Sequence, residues 1–177
     1  MLSECSKNRL KQIVIWSMPL AWMGIIFLFS ATPYERQDLK PALTDRFDLS
    51  VVEPFVDRVN FTYHNSEISV ASLGIESFVE FFIRKGAHVF VFFTLTLLFI
   101  YAFKKTTNLD LQLLLLFSYL LSVLYAGFDE WHQSLTPNRT PYIGDVFLDS
   151  VGSLFAVIVV VTIAFLRKRR LSETSLY

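Results

Sequence analysis

The side chains that could do chemistry in this sequence lie in three short stretches, each beside a long apolar run. The first is RKGAH, residues 84–88, which holds two bases and a histidine. The second is DEWHQSLTPNR, residues 129–139, and the third is GDVFLDSVG, residues 144–152. A histidine beside carboxylates can transfer protons, and arginine or lysine can bind phosphate oxygens. These residue types therefore indicate either acid–base chemistry or recognition of an anionic group.

The spacing of these residues places them on helix faces. Polar or charged side chains recur every four residues along one face before and within the second apolar run: Glu76, Glu80, Arg84 and His88. Asp145 and Asp149 are also four residues apart, where the last apolar run begins. Ser118 and Ser122 share a face with Asp129, but small residues there are expected to serve helix packing rather than a site. Three helices therefore present polar faces at one end.

Four apolar segments must position these side chains. They cover residues 12–31, 87–103, 111–128 and 146–166, and a spanning helix needs about 20 residues. The chain of 177 residues is 53% apolar and contains 18 Phe, which is too much apolar surface for a soluble domain of this size. Because lipid offers no partner for backbone polar groups, the segments are expected to be helices. The sequence predicts an all-α membrane protein with four transmembrane helices.

One domain, residues 1–177, is expected, with an outer loop at 32–74 and an interfacial helix at 75–86. Within the loop, VNFTY and EISVAS alternate apolar and polar residues around His64, Asn65 and Ser66. That pattern predicts a small extracytoplasmic β-hairpin between helices 1 and 2. The first apolar segment follows Lys7, Arg9 and Lys11 as a signal peptide would. It is longer than a signal h-region of roughly 7–15 residues, so we expect it to be retained as a helix.

The distribution of charge predicts the orientation in the membrane. The N-terminal segment, the link between helices 2 and 3, and the C-terminal tail hold nine basic and three acidic residues. The remaining seven basic and thirteen acidic residues lie on the other side. Since lysine and arginine favour cytoplasmic loops, both termini are expected in the cytoplasm. The single cysteine, Cys5, excludes an intramolecular disulfide.

Together the three stretches resemble the VanZ-like family of bacterial membrane proteins, named for resistance to the glycopeptide teicoplanin. The family pattern is roughly R-K-x-x-H, then D-E-x-x-Q with an Arg six residues later, then D-x-x-x-N-x-x-G. FSATP at the end of helix 1, residues 29–33, resembles the family's F-S-x-x-P. Asp149 is a departure, because an Asn usually stands there. The resemblance implies a multi-pass protein of the bacterial cytoplasmic membrane with a role in glycopeptide resistance or the cell envelope.

The resemblance also implies a set of motif positions: Arg84, Lys85, His88, Asp129, Glu130, Gln133, Arg139 and Asp145. We add His132 and Asp149 from their placement and charge. These four acids, three bases and two histidines are expected to meet in one shallow pocket. Ionisable groups at membrane depth cost about 2.5–3.5 kcal/mol each, so they are usually paired and often functional.

Three functions remain open at this point. In the first, the protein binds an anionic lipid-linked or amphiphilic ligand at the outer leaflet, such as an envelope precursor or a glycopeptide. Arg84, Lys85 and Arg139 would bind its phosphate, with Gln133 and Asp149 nearby. In the second, it is an enzyme acting on a lipid-linked phosphate. In the third, the polar residues form a purely structural clamp between helices 2, 3 and 4.

For the enzyme, the candidate catalytic residues are His88, Asp129, Glu130, His132 and Asp145. A histidine held by a carboxylate would be the general base, and no Ser or Cys stands in a nucleophile motif.

No metal and no cofactor is expected, because no pair has a spacing such as H-E-x-x-H and nearby bases would repel a cation. Membrane lipids are the expected partners, and nucleic acid is not. A transporter is a weaker alternative, because four helices without repeats make a small pore.

Overall fold

The computed structural model describes residues 2–136 and 140–174, and this part of the chain is mostly helical. Its first elements are α1 (Leu2–Ser30), a 3-10 helix (Tyr34–Gln37), α2 (Lys40–Arg46), a second 3-10 helix (Leu49–Val51) and α3 (Glu53–Val56). The strands β1 (Phe61–Tyr63) and β2 (Ser66–Ile68) follow, and then come α4 (Val70–Leu73), α5 (Ile75–Thr106), α6 (Leu111–Gln133) and α7 (Ile143–Thr174).

Four of these helices are long and apolar enough to cross a membrane: α1, α5, α6 and α7. The predicted fold class is confirmed, including the small antiparallel sheet between the first two spanning helices. Residues 75–86 and 87–103, taken separately in the sequence, belong to one continuous helix, α5. Many large apolar side chains on the outside of the bundle are exposed, as expected for surfaces that face lipid tails.

Helix α5 lies at the centre of the bundle and packs against α1, α6 and α7. Its core contacts are apolar, with Phe92, Leu95 and Phe99 buried against Tyr125 of α6 and Ile26 of α1. Short connections make α6 antiparallel to both α5 and α7, so α5 and α7 run parallel. The ends of α1, α5, α6 and α7 that lie next to the β-hairpin are called the hairpin end below.

Two tryptophans fix α1 along α5. The indole N–H of Trp16 donates to Thr106 Oγ1 at 3.2 Å, and that of Trp22 donates to the Val91 carbonyl at 2.9 Å. A hydroxyl joins α1 to α6, because Tyr125 donates to the Met23 carbonyl at 2.6 Å. Buried indole and hydroxyl groups need such partners in an apolar surrounding. These bonds set how the three helices align.

Helices α5 and α7 approach each other closely at Gly152. A Cβ on Gly152 would overlap the Val89 carbonyl oxygen and lie 3.0 Å from both Val89 C and Cα. Small residues allow such approaches between membrane helices. Ser153 and Ala156, both fully buried, continue the same face of α7.

The hairpin is short and turns through two residues. Phe61 pairs with Ile68 and Tyr63 with Ser66, while His64 and Asn65 have φ of 50° and 60°. Positive φ at both central residues is the geometry of a type I′ turn, which suits the twist of a hairpin. Ser69 then caps α4 by accepting the Ser72 N–H at 3.1 Å. The hairpin packs on α5 through Phe61 and Phe81, whose ring centroids are 6.1 Å apart.

Candidate functional site

A cavity of about 700 Å³ opens between α1, α5 and the hairpin. One wall is the apolar face of α1, with Trp22, Ile25, Ile26 and Phe29. The facing wall runs along α5 from Ser77 to Val91, which is roughly 20 Å at the helical rise per residue. Trp22 and Val91, which are joined by a hydrogen bond, both line the cavity. The volume falls in the range of small-molecule sites, about 300–1,000 Å³.

Three basic or titratable groups of α5 line this cavity: Arg84, Lys85 and His88. They occupy little more than one turn because α5 is helical throughout this region. From other elements, Gln133 of α6, Asp145 of α7, and Tyr63 of the hairpin reach the same cavity. The apolar wall and the charged wall therefore come from different helices.

Arg84 is held by α5 and by the loop after α1. Its Nε and Nη2 each lie 3.1 Å from Glu80 Oε1, one turn earlier on the helix. Nη2 also donates to the Gln37 carbonyl at 2.7 Å. Glu80 is buried and accepts the Leu39 N–H at 3.1 Å as well. This arrangement fixes the guanidinium in the wall of the cavity.

Lys85 pairs with Asp145 across the α5–α7 contact. The same oxygen, Asp145 Oδ1, accepts hydrogen bonds from Lys85 Nζ and from the Tyr63 hydroxyl. Lys85 Nζ also lies 4.7 Å from the centre of the Tyr63 ring, which adds a cation–π contact. Burial first, and then the hydrogen bond to Asp145, raise the pKa of Tyr63 above its ordinary value. Asp145 therefore ties hairpin, α5 and α7 together.

His88 and Asp149 form the next contact along the same two helices. His88 Nδ1 lies 3.4 Å from Asp149 Oδ1. Asp149 is 2% exposed, whereas His88 reaches the cavity wall. Gly152 follows three residues after Asp149, so the close approach to Val89 holds this pair in place. At this distance the two atoms meet the ion-pair criterion but not that of a hydrogen bond, so His88 has a carboxylate beside it and access to the cavity, two features of a general base.

The carboxylates of α6 lie behind the cavity rather than in its wall. Asp129, which is 1% exposed, accepts a hydrogen bond from Gln133 Nε2 at 2.8 Å. Glu130 Oε1 accepts the Tyr142 N–H just before α7 begins. That contact satisfies a backbone donor at the start of a helix, which is a capping role. Among the described residues, Asp129 Oδ1 has no hydrogen-bond partner.

A model of the VanZ/LLP1 family matches residues 15–166, which is most of the chain. The chain belongs to the VanZ/LLP1 family. The suspected resemblance is therefore confirmed, and the protein is a VanZ-like membrane protein. No curated protein and no solved structure matches the chain.

The structure of this VanZ/LLP1 protein brings together only some of the site residues that the sequence predicts. Arg84, Lys85, His88, Gln133 and Asp145 line the cavity, while Asp129, Glu130 and Asp149 are buried behind them. Arg139 lies outside the described residues. His132 faces α1, where its ring stacks on Phe27 with centroids 4.0 Å apart. In the part of the chain that the structure describes, His132 Nδ1 has no hydrogen-bond partner.

Three polar contacts of the site were not predicted from the sequence. Tyr63 belongs to the hairpin, and nothing in its sequence context points to Asp145, 82 residues away. Glu80 was visible as a member of the four-residue repeat, which is a usable signal for its bond to Arg84. For Trp22, an apolar run predicts a packed side chain but not its hydrogen bond to the Val91 carbonyl. Across residues 2–136 and 140–174, no three His, Cys, Asp or Glu side chains are grouped to hold a metal.

Proposed function

We propose that this VanZ/LLP1 protein binds an amphiphilic ligand in the cavity between α1 and α5, with an anionic head group at Arg84, Lys85 and His88. The observation that carries the proposal is the division of the cavity lining. The alkyl part would lie against Trp22 and the apolar wall of α1, and the head group against α5. Because lipid tails are as apolar as this wall, the alkyl chain gains little on leaving the bilayer, and the contacts of the head group with α5 would supply most of the selectivity.

The bound anion would exchange with Asp145 at Lys85. Lys85 is already neutralised by Asp145, and Arg84 by Glu80. Asp145 is partly exposed and also holds Tyr63, so it can stay hydrogen-bonded when Lys85 turns to the ligand. Glu80 is buried and fixed by Leu39, so it keeps Arg84 in position. Lys85 is therefore the base expected to respond most to the ligand.

The proposal includes a location. Nine basic residues against three acidic ones on the side of the termini support cytoplasmic termini and a hairpin end at the outer leaflet. In a bacterial cytoplasmic membrane, lipid-linked envelope precursors and lipidated glycopeptides are amphiphiles of the required kind. Binding either one would link the site to envelope function or teicoplanin resistance.

A brominated ligand tests the binding directly, because Trp22 lines the cavity. We would add a long-chain alkyl phosphate, brominated on its chain, to the protein in nanodiscs and follow tryptophan fluorescence. Saturable quenching that Trp22→Phe abolishes is expected, with much weaker quenching by the glucoside of the same brominated chain. Equal quenching by both compounds would contradict an anion-selective head-group site.

The matched variants are Lys85→Gln and Lys104→Gln, which remove the same charge from opposite ends of α5. Hydrogen bonds to charged groups contribute about 1.5–3 kcal/mol, so Lys85→Gln should weaken binding about tenfold or more. Lys104 is exposed at the far end, and its variant should bind like the wild type. Ala87→Trp fills the cavity without changing charge and should also reduce binding.

A second function, acid–base catalysis on a lipid-linked phosphate, is favoured by the His88–Asp149 pair at the cavity wall. His88→Gln should then abolish product formation while Arg84 and Lys85 still bind the alkyl phosphate. Asp149→Asn, which keeps a similar shape, should slow the reaction by removing the negative charge beside the histidine. Absence of product from the purified wild type with a series of lipid phosphates would rule out this activity.

A further inference from the structure

Four apolar side chains between α1 and the hairpin are exposed without a covering element. Phe47 is 61% exposed, Val51 65% and Phe55 81%. Val52, next to Val51, is also exposed. We call these four residues the loop patch. It includes the most exposed Phe among the described residues, and it lies on the loop rather than on a spanning helix.

Contacts with α5 fix the level of the loop patch along the bundle. The Leu39 N–H donates to Glu80, where α2 is about to begin. Helix α2 packs on α5, and Phe47 then lies across a small cleft from Ile75 and Glu76. The loop therefore runs along α5 from its second turn back to its first residues.

The depth of the loop patch in the membrane can be estimated from the length of α5. Its 32 residues extend about 48 Å, against about 40–45 Å for a bilayer with its head groups. When α5 is centred in the bilayer, its first turn lies at the outer edge of the head groups, and so does the loop patch. At that depth, exposed apolar and aromatic side chains gain by turning into the acyl boundary.

We infer that the loop patch inserts into the lipid surface at the hairpin end and so anchors the loop beside α5. The partner is the bilayer itself, because both ends of the loop join spanning helices and its level is that of the head groups. Charge makes the inference more specific. Between residues 45 and 57 the loop holds four acids and one base, so anionic lipid should not strengthen the insertion. Burial of apolar area drives it, independently of any ligand in the cavity.

An environment-sensitive label measures this insertion. In a Cys5→Ser background, which removes the only cysteine, Phe55→Cys would be labelled with an NBD fluorophore and placed in phosphatidylcholine nanodiscs. Asp57→Cys is the control, because two residues along a helical turn point to nearly opposite sides. The label at 55 should emit further to the blue than that at 57. Nitroxide groups placed high on the lipid chains should quench it, and replacing part of the lipid by an anionic one should not increase either effect.

Three results would overturn the inference. The first is quenching of the label at 55 by aqueous iodide to the same degree as at 57. The second is protection from iodide without quenching by the lipid nitroxide, which would point to a protein, such as a second copy, covering the patch. The third is insertion that appears only with anionic lipid. As a variant that keeps Phe55, Phe47→Cys should give the same lipid quenching.

Discussion

Replacement of Gly152 by alanine tests whether the α5–α7 contact builds the site. The new Cβ would lie 3.0 Å from Val89 C and Cα, whereas carbon atoms pack at about 3.5–4.0 Å. It would also overlap the Val89 carbonyl oxygen, which is closer still, so the helices must separate by about 1 Å, and overpacking of this kind costs about 1–3 kcal/mol. Alanine also gains about 1 kcal/mol over glycine in a helix, so the net loss at Gly152 is smaller than the clash alone.

Gly86→Ala and Gly127→Ala provide the comparison, because a Cβ at either position meets nothing within 4 Å. Both controls gain the helix propensity without the clash, so the difference between Gly152→Ala and the controls isolates about 1–3 kcal/mol. Denaturant unfolding in mixed micelles gives the free energies.

The separation should also move His88 away from Asp149 and change the chemical shifts of the His88 ring in NMR spectra. Equal stability of all three variants, with unchanged His88 signals, would refute the close contact as the reason for glycine at this position.

Three further predictions concern hydrogen bonds. Tyr63→Phe should lessen the fall in stability above about pH 10 in pH-dependent unfolding. The wild type keeps the Tyr63 proton in the folded state, because the pKa of Tyr63 is raised there, while the unfolded chain releases it. Thr96→Val and Ser122→Ala should show a coupling of about 0.6 kcal/mol in a double-mutant cycle, since Thr96 donates to Ser122 at 2.8 Å. Trp22→Phe should cost about 0.5–1.5 kcal/mol in unfolding, because the Val91 carbonyl loses its indole donor.

The elements of the fold followed from local patterns. Each spanning helix is one apolar run, and lipid leaves a continuous helix as the only way to satisfy its backbone. The hairpin followed from alternation around His64 and Asn65, because both residues tolerate positive φ better than most. Four-residue spacing put Asp145 and Asp149 on one face of a helix, and it did the same for Glu80 and Arg84.

The contacts between residues far apart in the sequence could not be predicted without the structure. The register between α5 and α7 depends on the contact of Gly152 with Val89, and no local pattern states which residue a glycine will meet. That register decides that Lys85 meets Asp145 and His88 meets Asp149. His132 shows a second limit, because adjacent residues within one helical turn point toward different neighbours. It stacks on Phe27 of α1, although it stands beside the acids in the sequence.

Photo-crosslinking is the most direct test of the cavity as an amphiphile site. An alkyl phosphate that carries a diazirine on its chain would be activated with the protein in nanodiscs, and the adducts would be located by mass spectrometry. Adducts are predicted within residues 22–29 and 84–91, with loss of both when unlabelled alkyl phosphate is in excess or when Ala87→Trp fills the cavity. Adducts spread over the lipid-facing sides of α6 and α7, unaffected by competitor and by Ala87→Trp, would contradict the account.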